Sequence, residues 1–159
     1  MKGKYLLLGT NLGNRLNNLN KAILAVENLL GPIKQRSSIF ETEPWGFQDQ
    51  PTYYNQVLEI DTMLTPDEIL KNIFLIEKAM GRTRHEKWKE RLIDIDILYY
   101  EDEVINSNKL TIPHPQIQNR KFTLVPLCEI SAHEIHPVLK KSNQELLRIT
   151  TDSLQVKKI

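Results

Sequence analysis

A stretch in which isoleucine and aspartate alternate, between Arg91 and Tyr100, constrains the fold of this 159-residue chain more than any other feature. Successive side chains of a β-strand point to opposite faces of a sheet. The alternation predicts a strand over 93–100 whose isoleucines pack beneath helices, while Asp94 and Asp96 stand together on the open face. Such a strand requires a sheet that helices cover on one face.

Two other segments have the spacing of amphipathic helices. The first repeats apolar residues in steps of three and four, which predicts one buried helical face ending at Gly31-Pro32: Leu16, Leu19, Ile23, Val26 and Leu30. The second begins at Thr65-Pro66-Asp67-Glu68, where Thr suits the N-cap, Pro the first turn and Glu the capping box. Its apolar stripe follows before Gly81: Ile69, Ile73, Ile76 and Met80.

The remaining patterns complete the predicted order of elements. Further strands are predicted at 5–8, 37–41, 54–62 and, as a short piece, 104–105, with helices near 121–130 and 143–149. Together with the two helices and the acidic strand, these give the order β-α-β-β-α-β. We therefore expect an α+β fold, a ferredoxin-like sandwich with extra short strands and C-terminal helices, in a single domain over 1–159.

Composition narrows the class of partner. The net charge of +1 gives no bulk attraction to nucleic acid or to an anionic membrane, so we expect neither partner. A single cysteine, Cys128, leaves no intramolecular disulfide and no Cys-rich zinc site. The apolar run after Met1 is too short for a signal sequence or a membrane span. These features predict a cytoplasmic protein, and we expect a monomer.

The acidic pair has two interpretations. Carboxylates as close as those of Asp94 and Asp96 repel each other unless a cation lies between them. Oxygen ligands beside a nucleotide favour Mg²⁺, and two such ions about 3.5–4 Å apart can bridge a polyphosphate. The alternative is a solvent-facing strand edge that is merely acidic, and the pair alone does not decide between them.

The segment ahead of the pair is basic and contains a tryptophan: Arg82, Arg84, Lys87, Trp88, Lys89 and Arg91. Guanidinium groups bind phosphate oxygens in a bidentate manner, and an aromatic side chain in such a loop can close over a flat ligand. A solvated charged turn is the alternative. Carboxylates suited to a metal next to cations suited to phosphate favour a metal–nucleotide site.

Other residues suit a second, flat ligand. Two prolines hold His114 rigidly, which suits a phosphate contact better than a general base. Tyr53 and Asn55 share one face of a predicted strand and offer a ring for stacking and an amide for hydrogen bonds. Alternatively, Tyr53 belongs to the core and Asn55 caps a turn. The chain has no phosphate-binding loop motif and no nucleophile elbow.

In order and spacing, these residues resemble the 6-hydroxymethyl-7,8-dihydropterin pyrophosphokinase family of folate biosynthesis, from the first strand to Ala132. Motifs that carry the resemblance are Gly9-Thr10-Asn11-Leu12-Gly13, Glu41-Thr42-Glu43-Pro44, Gln50-Pro51, Glu77, Gly81-Arg82, the acidic strand and Pro113-His114-Pro115. The resemblance implies that pyrophosphate passes from ATP to the hydroxymethyl group of a reduced pterin. It also implies in-line attack on the β-phosphorus, with two Mg²⁺ ions and release of AMP.

The resemblance also implies residue roles. Asp94 and Asp96 would hold the Mg²⁺ ions, and together with Arg82 and Arg91, which would steady the transferred phosphate, they form the catalytic set. The remaining ATP contacts would be Arg84, Trp88, Ile97, Lys109, Leu110, Thr111, His114 and Arg120. The pterin contacts would be Thr42, Pro44, Trp45, Tyr53, Asn55 and Phe122.

The sequence departs from the family pattern at a few positions. Lys89-Glu90 stands where the family usually has Gly-Pro, Trp45 is bulkier than the residue usually found there, and Thr10 replaces a commoner serine. These departures bear on rate and loop motion more than on reaction type.

Two rival functions are open at this point. A nucleotidyltransferase would also use an acidic pair, but such enzymes tend to place a Gly-Ser turn close ahead of it, and Gly9 lies far upstream. A ferredoxin-like sheet can also present aromatic residues to RNA. The near-neutral charge and the absence of an RNA-binding strand motif argue against that function.

Overall fold

The computed structural model describes residues 2–44, 49–81 and 92–159. The helices are α1 (Arg15–Leu29), α2 (Pro66–Ala79), α3 (Lys121–Ser131) and α4 (Asn143–Ile149). The strands are β1 (Lys4–Thr10), β2 (Ile33–Arg36), β3 (Phe40–Thr42), β4 (Tyr53–Ile60), β5 (Asp94–Tyr100), β6 (Ile105–Asn106), β7 (Thr111–Ile112) and β8 (Val156–Lys158).

The main sheet has the strand order β5-β1-β4-β3-β8, and β2 also pairs with β4. All pairings among the described strands are antiparallel. The order β1-α1-β2/β3-β4-α2-β5 confirms the predicted ferredoxin-like arrangement. Because β1 lies between β4 and β5, Gly9 faces Asn55 on one side and Asp94 on the other.

Helices α1 and α2 cover one face of the sheet. Their buried stripes pack on alternate residues of the strands, among them Ile93, Ile95 and Ile97, as the alternation predicts. Leu16 was assigned to the same stripe, and that assignment is wrong because its side chain is half exposed. The buried side of α1 instead includes Asn18, whose amide donates to Leu12 O and turns this face toward the β1–α1 loop.

Helices α3 and α4 cover only part of the opposite face. Their leucines form a second core with residues from β1, β4 and β5: Leu7, Val57, Leu98, Leu124, Leu127 and Leu146. Asp94 and Asp96 lie on this face but beyond the helices, and each keeps part of its surface exposed. The uncovered part of the sheet forms the floor of the site.

The second predicted strand is divided in two, and this corrects the expected boundary at 37–41. Ser37 lies between β2 and β3, where its Oγ accepts a hydrogen bond from Val57 N. Ser38 donates from both its backbone N and its Oγ to the carboxylate of Glu129. Ser37 N still donates to Val57 O, but Val57 N bonds to the Ser37 side chain instead of a backbone carbonyl, and this interrupts the strand between β2 and β3.

Helix starts follow the local sequence. Thr65 and Glu68 form the predicted capping box of α2, and Ser142 with Glu145 forms a second one at α4. None of the helices in the part of the chain that the structure describes is both long enough and apolar enough to cross a membrane.

Candidate active site

A cavity of about 570 Å³ lies over the uncovered end of the sheet. Both faces of β5 line it, since Asp94 and Asp96 contribute from one face and Ile95 and Ile97 from the other. The cavity therefore runs around the outer edge of this terminal strand toward α2 and β7. Its size lies within the range of about 300–1,000 Å³ that is usual for small-molecule sites.

A buried carboxylate on α2 fixes the acidic strand. Glu77 is 3% exposed, and its Oε1 accepts a hydrogen bond of 3.0 Å from the backbone N of Ile95. Ile95 lies between the two aspartates, so this bond holds the strand segment that carries both. Helix α2 thus sets the position of Asp94 and Asp96 without contributing to their carboxylate face.

His114 is held by its own backbone and by its ring. Its N donates to Leu98 O at 2.9 Å, and its Nδ1 accepts from Gln116 N at 3.2 Å. An imidazole whose Nδ1 accepts carries its proton on Nε2 when it is neutral. That Nε2 atom lies 4.0 Å from Oδ2 of Asp96, which directs the donor toward the acidic pair.

Burial makes the imidazole neutral. Desolvation, reinforced by the charge of Arg120 and opposed by that of Asp94, lowers the pKa of His114 to about 4. At neutral pH the contact with Asp96 is therefore between a neutral ring and a carboxylate and is not an ion pair. His114 can offer a hydrogen bond to an anion without bringing a charge.

Arg120 supplies positive charge to the cavity wall. It stands just before α3, and burial lowers its pKa, while Asp96 and Asp94 act in the opposite direction. A guanidinium remains charged at neutral pH despite such a shift. Around the acidic pair, the cavity therefore places Arg120 as a cation and His114 as a neutral donor, a set that can bind a polyphosphate together with a metal ion.

A buried amide lies in the same cavity. Asn55 and Thr42 are 3% and 2% exposed, and Asn55 Nδ2 donates to Thr42 Oγ1 at 2.8 Å. A Cβ atom on Gly9 would lie 2.9 Å from Asn55 Oδ1, so only glycine on β1 leaves room for this amide. Asn55 belongs to β4, so the alternative in which it caps a turn is wrong.

Residues 5–132 match the family profile described as 7,8-dihydro-6-hydroxymethylpterin-pyrophosphokinase (HPPK). The chain belongs to this family. HPPK proteins are ATP-dependent diphosphotransferases, and the resemblance drawn from the sequence motifs is thereby confirmed.

Relatives extend the match beyond the family profile. The chain is 43% identical over 141 residues to the 2-amino-4-hydroxy-6-hydroxymethyldihydropteridine pyrophosphokinase of Aquifex aeolicus, covering 89% of this chain and 88% of that protein. The corresponding protein of Haemophilus influenzae is 40% identical over 134 residues, with 84% of each chain covered.

Solved structures share the HPPK fold. A crystal structure of wild-type Plasmodium falciparum HPPK-DHPS with pteroate superimposes with a TM-score of 0.78 at 18% identity. The match covers 92% of this chain and 44% of that one, so the chain spans less than half of the fused protein. At this identity the likeness concerns the fold.

The predicted site residues that the structure describes all line the same cavity: Thr42, Pro44, Tyr53, Asn55, Asp94, Asp96, Ile97, Lys109, Leu110, Thr111, His114, Arg120 and Phe122. They come from four strands (β3, β4, β5 and β7), the loops beside them and the start of α3. Five further predicted residues lie outside the described residues: Trp45, Arg82, Arg84, Trp88 and Arg91.

Some residues that line this cavity have no role predicted from the sequence. Leu70, Phe74 and Glu77 border it from α2. They recur at i, i+4 and i+7 beside the core stripe. This spacing could have predicted that they share a second face of α2. Arg15 and Asp152, which hold neighbouring segments, gave no local signal because their partners are 37 and 31 positions away.

The donor set is compatible with Mg²⁺, which the HPPK resemblance implies. No group of three or more metal-binding side chains occurs among residues 2–44, 49–81 and 92–159. Mg²⁺ commonly takes one or two protein carboxylates and completes its shell with water and substrate phosphates. Asp94 and Asp96, adjacent on one face and partly exposed to the cavity, supply that number of ligands.

Proposed function

We propose that this protein transfers the β,γ-diphosphate of ATP to the hydroxymethyl oxygen of 6-hydroxymethyl-7,8-dihydropterin and releases AMP. The observation that carries the proposal is that a single cavity is lined by groups for polyphosphate and by groups for a flat heterocycle. Membership of the HPPK family supports the same reaction.

The bond changes are those of a single displacement. The pterin hydroxyl oxygen attacks the β-phosphorus in line, forming the new O–P bond as the bond to the bridging α,β-oxygen breaks. The electron pair of the broken bond leaves with AMP, and the hydroxyl proton passes to solvent. Because no covalent enzyme intermediate is needed, the residues act by positioning the substrates and by stabilising charge.

Asp94 and Asp96 would hold Mg²⁺ in this reaction. When bound, the metal would neutralise charge on the polyphosphate and help to align it. Arg120 would pair with the phosphate oxygens through its guanidinium, and His114 would donate from Nε2. Lys109, Leu110 and Thr111 would lie along the adenosine, together with Ile97 at the edge of β5.

The second substrate would lie between Tyr53 and Phe122, two aromatic residues that both line the cavity. Asn55 would read the edge of the pterin, because an amide offers both a donor and an acceptor. Its hydrogen bond to Thr42 fixes the amide plane before substrate arrives. Backbone groups near Pro44 and Trp45 would complete the recognition of that edge.

The remaining assignments rest on the family resemblance. Arg82 and Arg91 would steady the transferred phosphate, Arg84 would bind the triphosphate, and Trp88 would close over the site. Lys89-Glu90, which stands where the family usually has Gly-Pro, lies within the same segment as these four residues. Their roles are therefore the ones that this departure would affect most.

Product analysis tests the proposal. The protein is incubated with ATP, Mg²⁺ and 6-hydroxymethyl-7,8-dihydropterin, and nucleotides are separated by ion-exchange chromatography, with parallel reactions lacking pterin or metal. We expect AMP to form only in the complete reaction, in step with a diphosphorylated pterin. AMP attached to an acceptor, with free pyrophosphate, would support the nucleotidyltransferase, and salt-sensitive RNA binding without turnover would support the RNA-binding module.

A further inference from the structure

Arg15 lies behind the proposed pterin site, on the other face of the sheet. It is the first residue of α1, and its guanidinium stacks on the ring of Tyr54 at 3.9 Å from the ring centroid. Tyr54 packs against the core beneath α1 and α2, whereas its neighbours Tyr53 and Asn55 line the cavity. Arg15 is not among the cavity-lining residues, so any influence on a bound pterin must be indirect.

The guanidinium holds two strands at once. Its Nη1 donates to Thr52 O at 2.9 Å and to Thr52 Oγ1 at 2.6 Å, and lies 3.3 Å from Glu41 Oε2. Thr52 directly precedes Tyr53 on β4, and Glu41 directly precedes Thr42 on β3. Glu41 and Thr52 are therefore tied to one side chain.

These contacts are partly shielded from solvent. The side chains of Arg15 and Glu41 are 25% and 31% exposed, and the ring of Tyr54 covers one face of the guanidinium. A charge pair in such surroundings is screened less than one at a fully exposed position. Solvent and salt consequently weaken this pair less than an ordinary surface ion pair.

A second side chain from the same part of the chain supports the clamp. Asn11 is 1% exposed, and its Nδ2 donates to Gln50 Oε1 at 3.3 Å and to Pro51 O at 3.4 Å. Asn11 and Arg15 flank the β1–α1 turn, so this turn contacts three consecutive residues, 50–52, that lead into β4.

We propose that Arg15 is a positioning residue for pterin binding: from behind the sheet it reinforces the β3–β4 pairing that sets Thr42 beside Tyr53. This inference rests on the proposed function. If the clamp is lost, the ring of Tyr53 and the bond between Thr42 and Asn55 keep only the support of the β3–β4 pairing, and pterin affinity falls. The phosphate-binding residues are outside the clamp, so ATP affinity is unaffected.

The geometry requires arginine specifically. A planar guanidinium can donate to Thr52, pair with Glu41 and stack on Tyr54 together, whereas a lysine ammonium is a single point charge. Arg15→Lys therefore keeps the charge but not the full clamp, and Arg15→Met removes both. Lys21→Met is the matched control, because Lys21 is exposed on the same helix and loses the same charge.

The test measures pterin Kd by fluorescence titration with a saturating non-hydrolysable ATP analogue, and KM for each substrate with kcat. Because small displacements near a reacting centre are costly, we expect Arg15→Met to raise pterin Kd and KM by about tenfold, with ATP KM changed by less than about twofold. Arg15→Lys should be intermediate, and Lys21→Met should match wild type. Thermal melting by circular dichroism fixes an assay temperature at which every variant is folded.

Either of two results overturns the inference: Arg15→Met binds pterin as wild type does, or it weakens ATP and pterin equally. If Arg15→Met fails to fold, Arg15→Lys decides, and wild-type pterin affinity in that variant overturns the inference. Absence of pterin-dependent AMP with the wild-type protein refutes the proposed function, whereas an active wild type with an unaffected Arg15→Met refutes only the role of Arg15.

Discussion

At the scale of single residues, the charge of each side chain in the cavity determines what the residue can do. The carboxylate of Asp96 lies on a partly exposed face, beside a neutral His114 and in the field of Arg120. Asp96 lies on the cavity side of β5 and belongs to neither hydrophobic core. The role of this residue is therefore separable from the stability of the fold.

We predict that Asp96→Ala lowers kcat on the order of 10²–10³-fold, because it removes one of two carboxylates that would hold the metal beside the reacting phosphate. Unfolding midpoints should remain close to wild type. Rates of AMP formation and thermal melts check both parts, with exposed Asp61→Ala as the control. Normal AMP release by Asp96→Ala would exclude Asp96 as a metal ligand.

Unlike Asp96, Glu77 is buried, and it accepts a hydrogen bond from the backbone N of Ile95. Glu77→Ala leaves that N–H without its carboxylate acceptor, which we expect to cost about 1–3 kcal/mol of unfolding free energy and to lower activity as well. Glu77→Gln keeps an acceptor and should lose less of both. Urea unfolding measures the difference, and equal stabilities for the two variants would count against the Ile95 bond.

His136 makes the free energy of unfolding depend on pH, and it is not among the residues that line the cavity. Its Nδ1 accepts from Val138 N and Leu139 N, and burial lowers its pKa below the usual 6.5. As pH falls below about 6.5, the unfolded chain takes up a proton that the folded ring resists, so the unfolding free energy decreases.

We therefore predict that His136→Asn flattens the dependence of unfolding free energy on pH between neutral and mildly acidic conditions. His114 has the same sign of pKa shift, but it is present in both proteins, so the difference between them isolates His136. Urea titrations at several pH values provide the measurement. Parallel slopes for wild type and variant would contradict the assignment.

At the scale of elements, the C-terminal segment reaches back to the cavity. Asp152 Oδ2 accepts from Lys121 N at 2.8 Å at the start of α3, and its Oδ1 accepts from Leu154 N at 3.0 Å. Helix α3 has Arg120 as its N-cap residue and Phe122 in its first turn. The cap of this helix is thus supplied from outside the region matched by the family profile.

We predict that Asp152→Ala costs about 0.5–2 kcal/mol, the usual cost of a lost N-terminal cap, and also raises KM for both substrates. Ser142→Ala is a matched control, because it removes the cap of α4 and leaves the start of α3 intact. Stability should fall in both variants, but KM should rise only for Asp152→Ala. A rise in KM for Ser142→Ala as well would indicate a general loss of stability.

Elements with a strong local signal were predictable, because periodicity, capping residues and alternation determine α1, α2, β4 and β5 directly. Strand β8 was not, since Val156–Lys158 is short, ends in two exposed lysines and becomes a strand only by pairing with β3. The break at Ser37 depends likewise on distant partners, Val57 and Glu129. The described site residues were predictable as a set through the spacing of the family motifs, whereas Arg15 and Asp152 act through tertiary contacts.

At the scale of the whole molecule, the two faces of the sheet are covered to different extents. One face is filled by the core beneath α1 and α2, whereas the other is half core and half cavity, because α3 and α4 stop short of Asp94 and Asn55. On the central strand β1, Gly9 lies between Asn55 of β4 and Asp94 of β5. The expected monomer and cytoplasmic location stay predictions, and light scattering checks the first.

The central claim is that one cavity holds both substrates, and a crystal structure with Mg²⁺, a non-hydrolysable ATP analogue and 6-hydroxymethyl-7,8-dihydropterin tests it most directly. We predict the pterin between Tyr53 and Phe122, its hydroxymethyl oxygen facing the β-phosphorus, and Asp94 and Asp96 on the metal. Nucleotide and pterin in separate sites, or phosphates remote from Asp94 and Asp96, would contradict the account.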